Sequence, residues 1–162
     1  MIFLKINDIK GFTSLLLVKD TLEQMELWEG TIKTHSTFVI DGTKNTPYFT
    51  DTDEEPQSRY NTWERLRPVC YEIIKGNHLP TYFKFVFRLD EKRTTGIVSQ
   101  TPDFKPEDVT GLFLNIKYEN NTLSLTTGTS LSYFTLDKTL EKAFDRFVCG
   151  FLTEHRIDFS LC

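Results

Sequence analysis

The strongest constraint on this chain is the strict alternation in Tyr82-Phe83-Lys84-Phe85-Val86-Phe87-Arg88-Leu89. In an extended chain Phe83, Phe85, Phe87 and Leu89 point one way, and Tyr82, Lys84, Val86 and Arg88 the other. Such a strand is stable only when its phenylalanine side is buried. A second apolar surface lies near the C-terminus. Leu140, Ala143, Phe144, Phe147, Val148, Phe151 and Leu152 recur at the spacing of one helix face, with Asp137 placed to cap it. A chain holding both periodicities predicts an α+β fold.

The remaining elements follow from period and punctuation. Ile2 to Ile6 alternates as a first strand rather than reading as a signal peptide. Asn7 or Asp8 then caps a short helix that carries Ile9, Phe12 and Leu16 on one face. A β-rich stretch from about Gln24 to Asp41 bends or bulges near Gly30 and Thr34-His35-Ser36-Thr37 and continues as a second strand. Residues 42–57 form a polar loop with Asp51, Asp53, Glu54 and Glu55. Tyr60, Trp63, Leu66, Cys70, Ile73 and Ile74 mark a helix from about Ser58 to Lys75, stopped by Gly76 and Asn77. Pro68 lies within it, which predicts a kink or a fresh start near Arg67. A weaker helix spans about Asp90 to Ser99, and Pro102 and Pro106 frame a loop. Leu112, Leu114, Ile116 and Tyr118, then Leu123 and Leu125, alternate about a turn at Glu119-Asn120-Asn121, forming a hairpin. Thr126 to Ser130 reads as a turn before a strand from Leu131 to Leu136, and Arg156 to Ser160 as a short final strand. The expectation is one α+β domain over residues 1–162, with a mainly antiparallel sheet and about four helices.

Within it the chain echoes itself. Ser36-Thr37-Phe38-Val39-Ile40-Asp41-Gly42-Thr43 and Ser132-Tyr133-Phe134-Thr135-Leu136-Asp137-Lys138-Thr139 share Ser-x-Phe-x-(Ile/Leu)-Asp-x-Thr. Leu4 to Asp8 similarly resembles Phe87 to Glu91, and Val69-Cys70 resembles Val148-Cys149. The echo predicts two pseudo-duplicated β-α-β-β-α halves, 1–79 and 80–162, that share one core. A duplicated order of that kind also resembles, in topology only, the domain of DNA sliding clamps.

Chemistry is harder to find. The eight glycines are scattered, with neither GxGxxG nor GxxxxGK[ST] among them, which disfavours those classes of phosphate-handling enzyme. His35, His78 and His155 are isolated from one another and from the cysteines, so neither a metal site nor a cofactor is expected. His78 and His155 each follow a helix, where the dipole favours a cation. Cys70, Cys149 and Cys162 are an odd set without CxxC spacing, which fits neither a disulfide framework nor a zinc site, and Cys70 and Cys149, on predicted helices, read as small hydrophobes. Asp41 and Asp137 are the matched carboxylates of the echo. They fit local capping better than an acid–base pair. The longest apolar runs are far too short to span a bilayer. That, with the N-terminal reading, predicts a cytoplasmic protein without a membrane partner.

One surface stands out as a binding candidate. Lys84 and Arg88 occupy the polar side of the phenylalanine strand beside Tyr82, and Arg65 and Arg67 lie on the helix before it. Together they form a basic, aromatic-edged patch suited to an anionic ligand or an acidic protein. The net charge of −4, with 19 basic and 23 acidic residues, disfavours nucleic acid as the main partner without excluding a local basic face.

Several segments carry a resemblance. Ser36 to Gly42, Leu66-Arg67-Pro68 with Ile74-Lys75-Gly76, Phe83 to Phe87, Gly111 to Ile116 and Thr126 to Ser130 resemble a family of uncharacterised proteins from Clostridia-type anaerobic bacteria. The likeness covers nearly the whole chain. It implies a small, single-domain bacterial protein and transfers no catalytic residue. The leading expectation is a non-enzymatic binding or interaction module. The alternatives are a clamp-like, DNA-associated protein and a small-molecule enzyme that uses Asp41, Asp137 or a cysteine.

Overall fold

The computed structural model describes residues 1–49 and 58–162. The acidic stretch Asp51 to Glu55 lies outside the described residues. Among these residues the elements run β1 (Phe3–Ile6), α1 (Ile9–Leu17), β2 (Glu26–Lys33), β3 (Thr37–Asp41), α2 (Trp63–Ile74), β4 (Tyr82–Arg88), α3 (Glu91–Val98), β5 (Val109–Glu119), β6 (Thr122–Leu131), α4 (Thr139–Glu154) and β7 (Phe159–Leu161). The seven strands form one sheet in the order β3-β2-β4-β5-β6-β1-β7, and every neighbouring pair is antiparallel. The expected α+β class, with a mainly antiparallel sheet and four helices, is what the chain adopts.

The alternation in β4 organises the core. Phe83, Phe85 and Phe87 are buried, and they align across the sheet with Tyr118, Ile116 and Leu114 of β5. Leu123 and Leu125 of β6 and Leu4 and Ile6 of β1 continue the same side. The helices close over it. Trp63 of α2 meets Phe85 and Phe87 at 5.2 and 5.0 Å between ring centroids, and its indole N–H donates to Leu16 O at 2.8 Å. Leu140, Ala143, Phe144, Val148 and Leu152 of α4 are buried, as its stripe predicts. Each large apolar side chain sealed in this layer stabilises the fold by about 1.5–3 kcal/mol.

Local signals hold at most boundaries. Asp8 caps α1 by accepting from Gly11 N at 3.0 Å, and Asp90 caps α3 by accepting from Arg93 N at 3.1 Å. Asn120 and Asn121, with φ of 51° and 57°, form the two-residue turn between β5 and β6. The irregularity expected near Gly30 falls elsewhere: Gly30 pairs regularly with Phe85 and Ile40, and β2 instead bulges at Trp28, where its pairing with β4 shifts register between Leu27 and Glu29.

Three further expectations change. α2 runs unbroken through Pro68, because Trp63 and Cys70, buried on either side of it, hold both halves of the helix against the core. Thr126 to Ser130 is not a turn but part of β6, where Gly128 sits opposite Phe113 and Thr127 reaches Asp145 of α4 at 2.6 Å. No strand spans Leu131 to Leu136. β6 ends at Leu131, and Phe134 and Leu136 are exposed in an irregular connection.

That last change bears on the echo. The first copy is an edge strand, whereas the second is the connection into α4. What they share is the Asp-x-Thr end: Asp41 accepts from Thr43 N at 2.9 Å, and Asp137 from Thr139 N at 2.8 Å. Asp137 therefore sits one residue ahead of the helix cap, Lys138. Gly42 packs so closely on the Leu27 carbonyl that a Cβ there would lie 1.7 Å from its oxygen, a restriction Lys138 does not face. The order β-α-β-β-α does recur. The pairing does not: β4 joins β2 and β5, while β1 joins β6 and β7. Common caps and turns account for the repeated letters without a duplicated half.

Candidate functional site

With all four helices on the phenylalanine side, no helix among the described residues covers the opposite face of the sheet. Strand register decides which side chains meet there. One row runs Val39, Thr31, Lys84, Lys117, Ser124, Lys5 and Ser160, from β3 across to β7. Lys84 and Lys117 are direct cross-strand partners, so their Cα atoms lie about 4.5–5.5 Å apart. Lys5 stands two strands beyond Lys117, about 10 Å away. The next row contains Lys33, Tyr82 and Glu119.

The lysine ammoniums gather about one ring. Lys33 Nζ lies 4.9 Å and Lys117 Nζ 5.9 Å from the Tyr82 centroid. Lys117 also pairs with Glu119 at 2.9 Å, and that hydrogen bond raises its pKa above the usual lysine value, keeping it charged. Neither Lys84 nor Lys5 has an ion-pair partner among the described residues. Among the described residues four lysines thus share two rows with two carboxylates, Glu119 beside them and Asp158 at the far end next to Asn7, in a chain of net charge −4. Like charges placed directly opposite in a sheet cost stability. The arrangement is therefore one that packing alone does not favour.

The other end of the open face has a different character. The bulge turns Trp28 onto this side, where it stacks on Tyr60 at 4.3 Å and meets the edge of Phe113 at 4.7 Å. Arg88 is held there by Glu26 at 3.3 Å and by the Thr110 carbonyl at 3.1 Å. Glu29 and Asp41 occupy the row beyond Thr31, toward the β3 edge.

Of the five residues predicted to form a patch, the structure brings together Tyr82 and Lys84 and places Arg88 on the same face but engaged by Glu26. Arg65 and Arg67 do not join them, because α2 packs on the opposite side of the sheet. Arg67 is an anchor between helices there, ion-paired to Glu23 and donating to Val18 O at 2.8 Å. Arg65 donates to Asn61 Oδ1 at 3.2 Å and lies 5.0 Å from the Phe49 ring centroid. The residues missed by sequence reasoning are Lys5, Lys33 and Lys117. Each occupies an outward position of an alternating strand, but only the register lines them up with Lys84.

The groups considered for catalysis are arranged differently. Asp41 and Asp137 lie on separate elements, and each carboxylate is held below the usual range by its own threonine: Asp41 first by the Thr43 backbone N–H, Asp137 first by the Thr139 hydroxyl. A general acid needs the opposite shift. Burial pushes the Cys70 thiol up to about 12, so it stays protonated and unreactive. Burial raises the Cys149 thiol too, with Asp145 adding to it. Among the described residues no three His, Cys, Asp or Glu side chains gather as a metal site would require, and no helix is long and apolar enough to cross a membrane.

The chain belongs to a family of unknown function, DUF5721, matched over residues 15–160. No curated protein and no solved structure matches it. The family match spans β2 through β6, and so includes the strands that carry Lys33, Lys84 and Lys117.

Proposed function

We propose that this protein is a non-enzymatic interaction module that takes an acidic partner protein on the open face of its sheet. One observation carries the reading: Lys84 and Lys117 are held directly opposite each other on the sheet face that no helix among the described residues covers, with Lys5 in the same row. Carboxylates from a partner relieve that repulsion, which makes the row complementary to acidic protein surface. Tyr82 does not offer a bare stacking platform for a nucleobase, since two ammoniums already sit against its ring. That favours carboxylates over nucleic acid.

The reading extends to setting. It places the module in the cytosol of a bacterium, in line with the resemblance to proteins of Clostridia-type anaerobes and with three unbridged cysteines, which suit a reducing compartment. It also treats the chain as a single domain, because one core cluster takes residues from Leu4 through Ile157.

The test is fluorescence anisotropy of labelled poly-L-glutamate titrated with the protein at low and high salt. Binding that weakens with salt and drops at least about tenfold in Lys84→Glu/Lys117→Glu supports the proposal. Unchanged binding in that variant, or tighter binding of a single-stranded oligonucleotide of equal charge, overturns it.

A further inference from the structure

On the helical side of the sheet a groove remains between α1 and the connection from α2 to β4. Its volume is about 600 Å³, and Ile9, Leu17, Ile74, Leu79 and Phe83 contribute walls and floor that are carbon almost throughout. The floor is the outer end of the core, where Phe83 and Tyr118 stack at 5.3 Å. The rim is apolar as well. Leu79 is 81% exposed and Val18 61%, so the fold leaves these side chains in water without using them. A cleft of this volume and composition falls within the range of small-molecule sites.

A single charge marks the rim. Lys10 is the only charged side chain lining the groove among the described residues, and it has no ion-pair partner there. It projects from the first turn of α1, whose nine residues run about 13 Å along the groove. A long apolar trough with one cation at one end suits a molecule with one alkyl chain and one anionic head.

We propose that this groove binds a free, single-chain alkyl carboxylate, with the chain lying along α1 between Leu17 and Leu79 and the carboxylate at Lys10. The site is independent of the lysine row, which lies on the opposite side of the sheet.

Displacement of 1-anilinonaphthalene-8-sulfonate by decanoate and by decanol, both below their aggregation limits, tests the assignment. Decanoate is expected to displace the dye at concentrations about two- to fivefold lower than decanol, the range expected of one exposed ion pair. Lys10→Gln is expected to erase that preference, and Leu79→Glu, a change at an exposed position, to weaken displacement by decanoate at least about tenfold by opposing its chain and charge. Equal displacement by both compounds from the unaltered protein overturns the proposal. So does an absence of displacement by soluble decanoate alongside retention on phosphatidylcholine vesicles, which would make the groove a membrane contact instead. Because the comparison of the two compounds uses the unaltered protein, it decides the matter even if a variant fails to fold.

Discussion

The two faces of one sheet are built by opposite rules. On the covered face, Phe85 and Phe87 contact Trp63 of α2 and are wholly buried. On the open face, the intervening Lys84 faces another lysine across the strand boundary. The first face is filled with side chains whose burial stabilises the fold. The second keeps like charges together at some cost to it. Neighbouring residues of β4 therefore answer to different demands, and the contrast separates what holds the protein together from what it presents to solvent.

Replacing Phe85 with Ala should produce the largest effect. Loss of a fully buried ring is expected to lower unfolding stability by about 3–5 kcal/mol, whereas Lys84→Ala should stay within about 0.5 kcal/mol apart from its charge effect. Urea midpoints for the two variants measure the contrast, and comparable losses would break it.

The echoed segments provide the next contrast. Gly42→Ala places a methyl group against the Leu27 carbonyl, and the backbone there has to shift. A loss of about 1–3 kcal/mol is expected, against near neutrality for Lys138→Ala at the matching exposed position. Equal effects in the two thermal melts would revive the duplicated-half reading.

Cysteine chemistry sharpens the difference between inside and outside. Cys162 should react with a disulfide reagent at once and Cys70 only after unfolding, since one is exposed and the other buried. The folded Cys70 thiol ionises at about 12 rather than 9.0. Its contribution to stability is therefore complete below pH 9 and declines as pH rises toward 12, where the unfolded chain alone releases the proton. Cys70→Ala should flatten that part of the stability profile, measured by denaturant unfolding between pH 8 and 11.

The smallest expected effect concerns the row itself. Lys84→Thr removes a like-charge pair and should raise stability by about 0.2–1 kcal/mol at low ionic strength, a gain that shrinks in salt. A loss of stability at low salt would mean that Lys84 is held by attraction rather than repulsion.

Legibility in the sequence divided along the same line. The covered face could be read because burial imposes a period: two for β4, 3.6 for α4. The cap at Asp8 was legible because a carboxylate before a helix satisfies its free N–H groups locally. The turn assigned to Thr126–Ser130 failed because Gly and Thr also suit a strand whose neighbour carries a large ring, as Phe113 does opposite Gly128. Two of the five candidate patch residues failed for a geometric reason. Arg65 and Arg67 are close to Lys84 in sequence, but the helix that carries them crosses to the other side of the sheet. Lys5 and Lys117 are remote in sequence and become neighbours in the row only through pairing with β6. Periodicity shows which way a side chain points. It does not show which strand lies next to which.

The most direct test of the open-face account is the set of amide chemical-shift changes when poly-L-glutamate is added to ¹⁵N-labelled protein. The account predicts that shifts concentrate at Lys5, Lys33, Lys84, Lys117 and Ser124, fade with added salt, and leave α1 and α4 unmoved. Shifts confined to the helical layer, or none at a polyglutamate concentration that saturates binding, would contradict it.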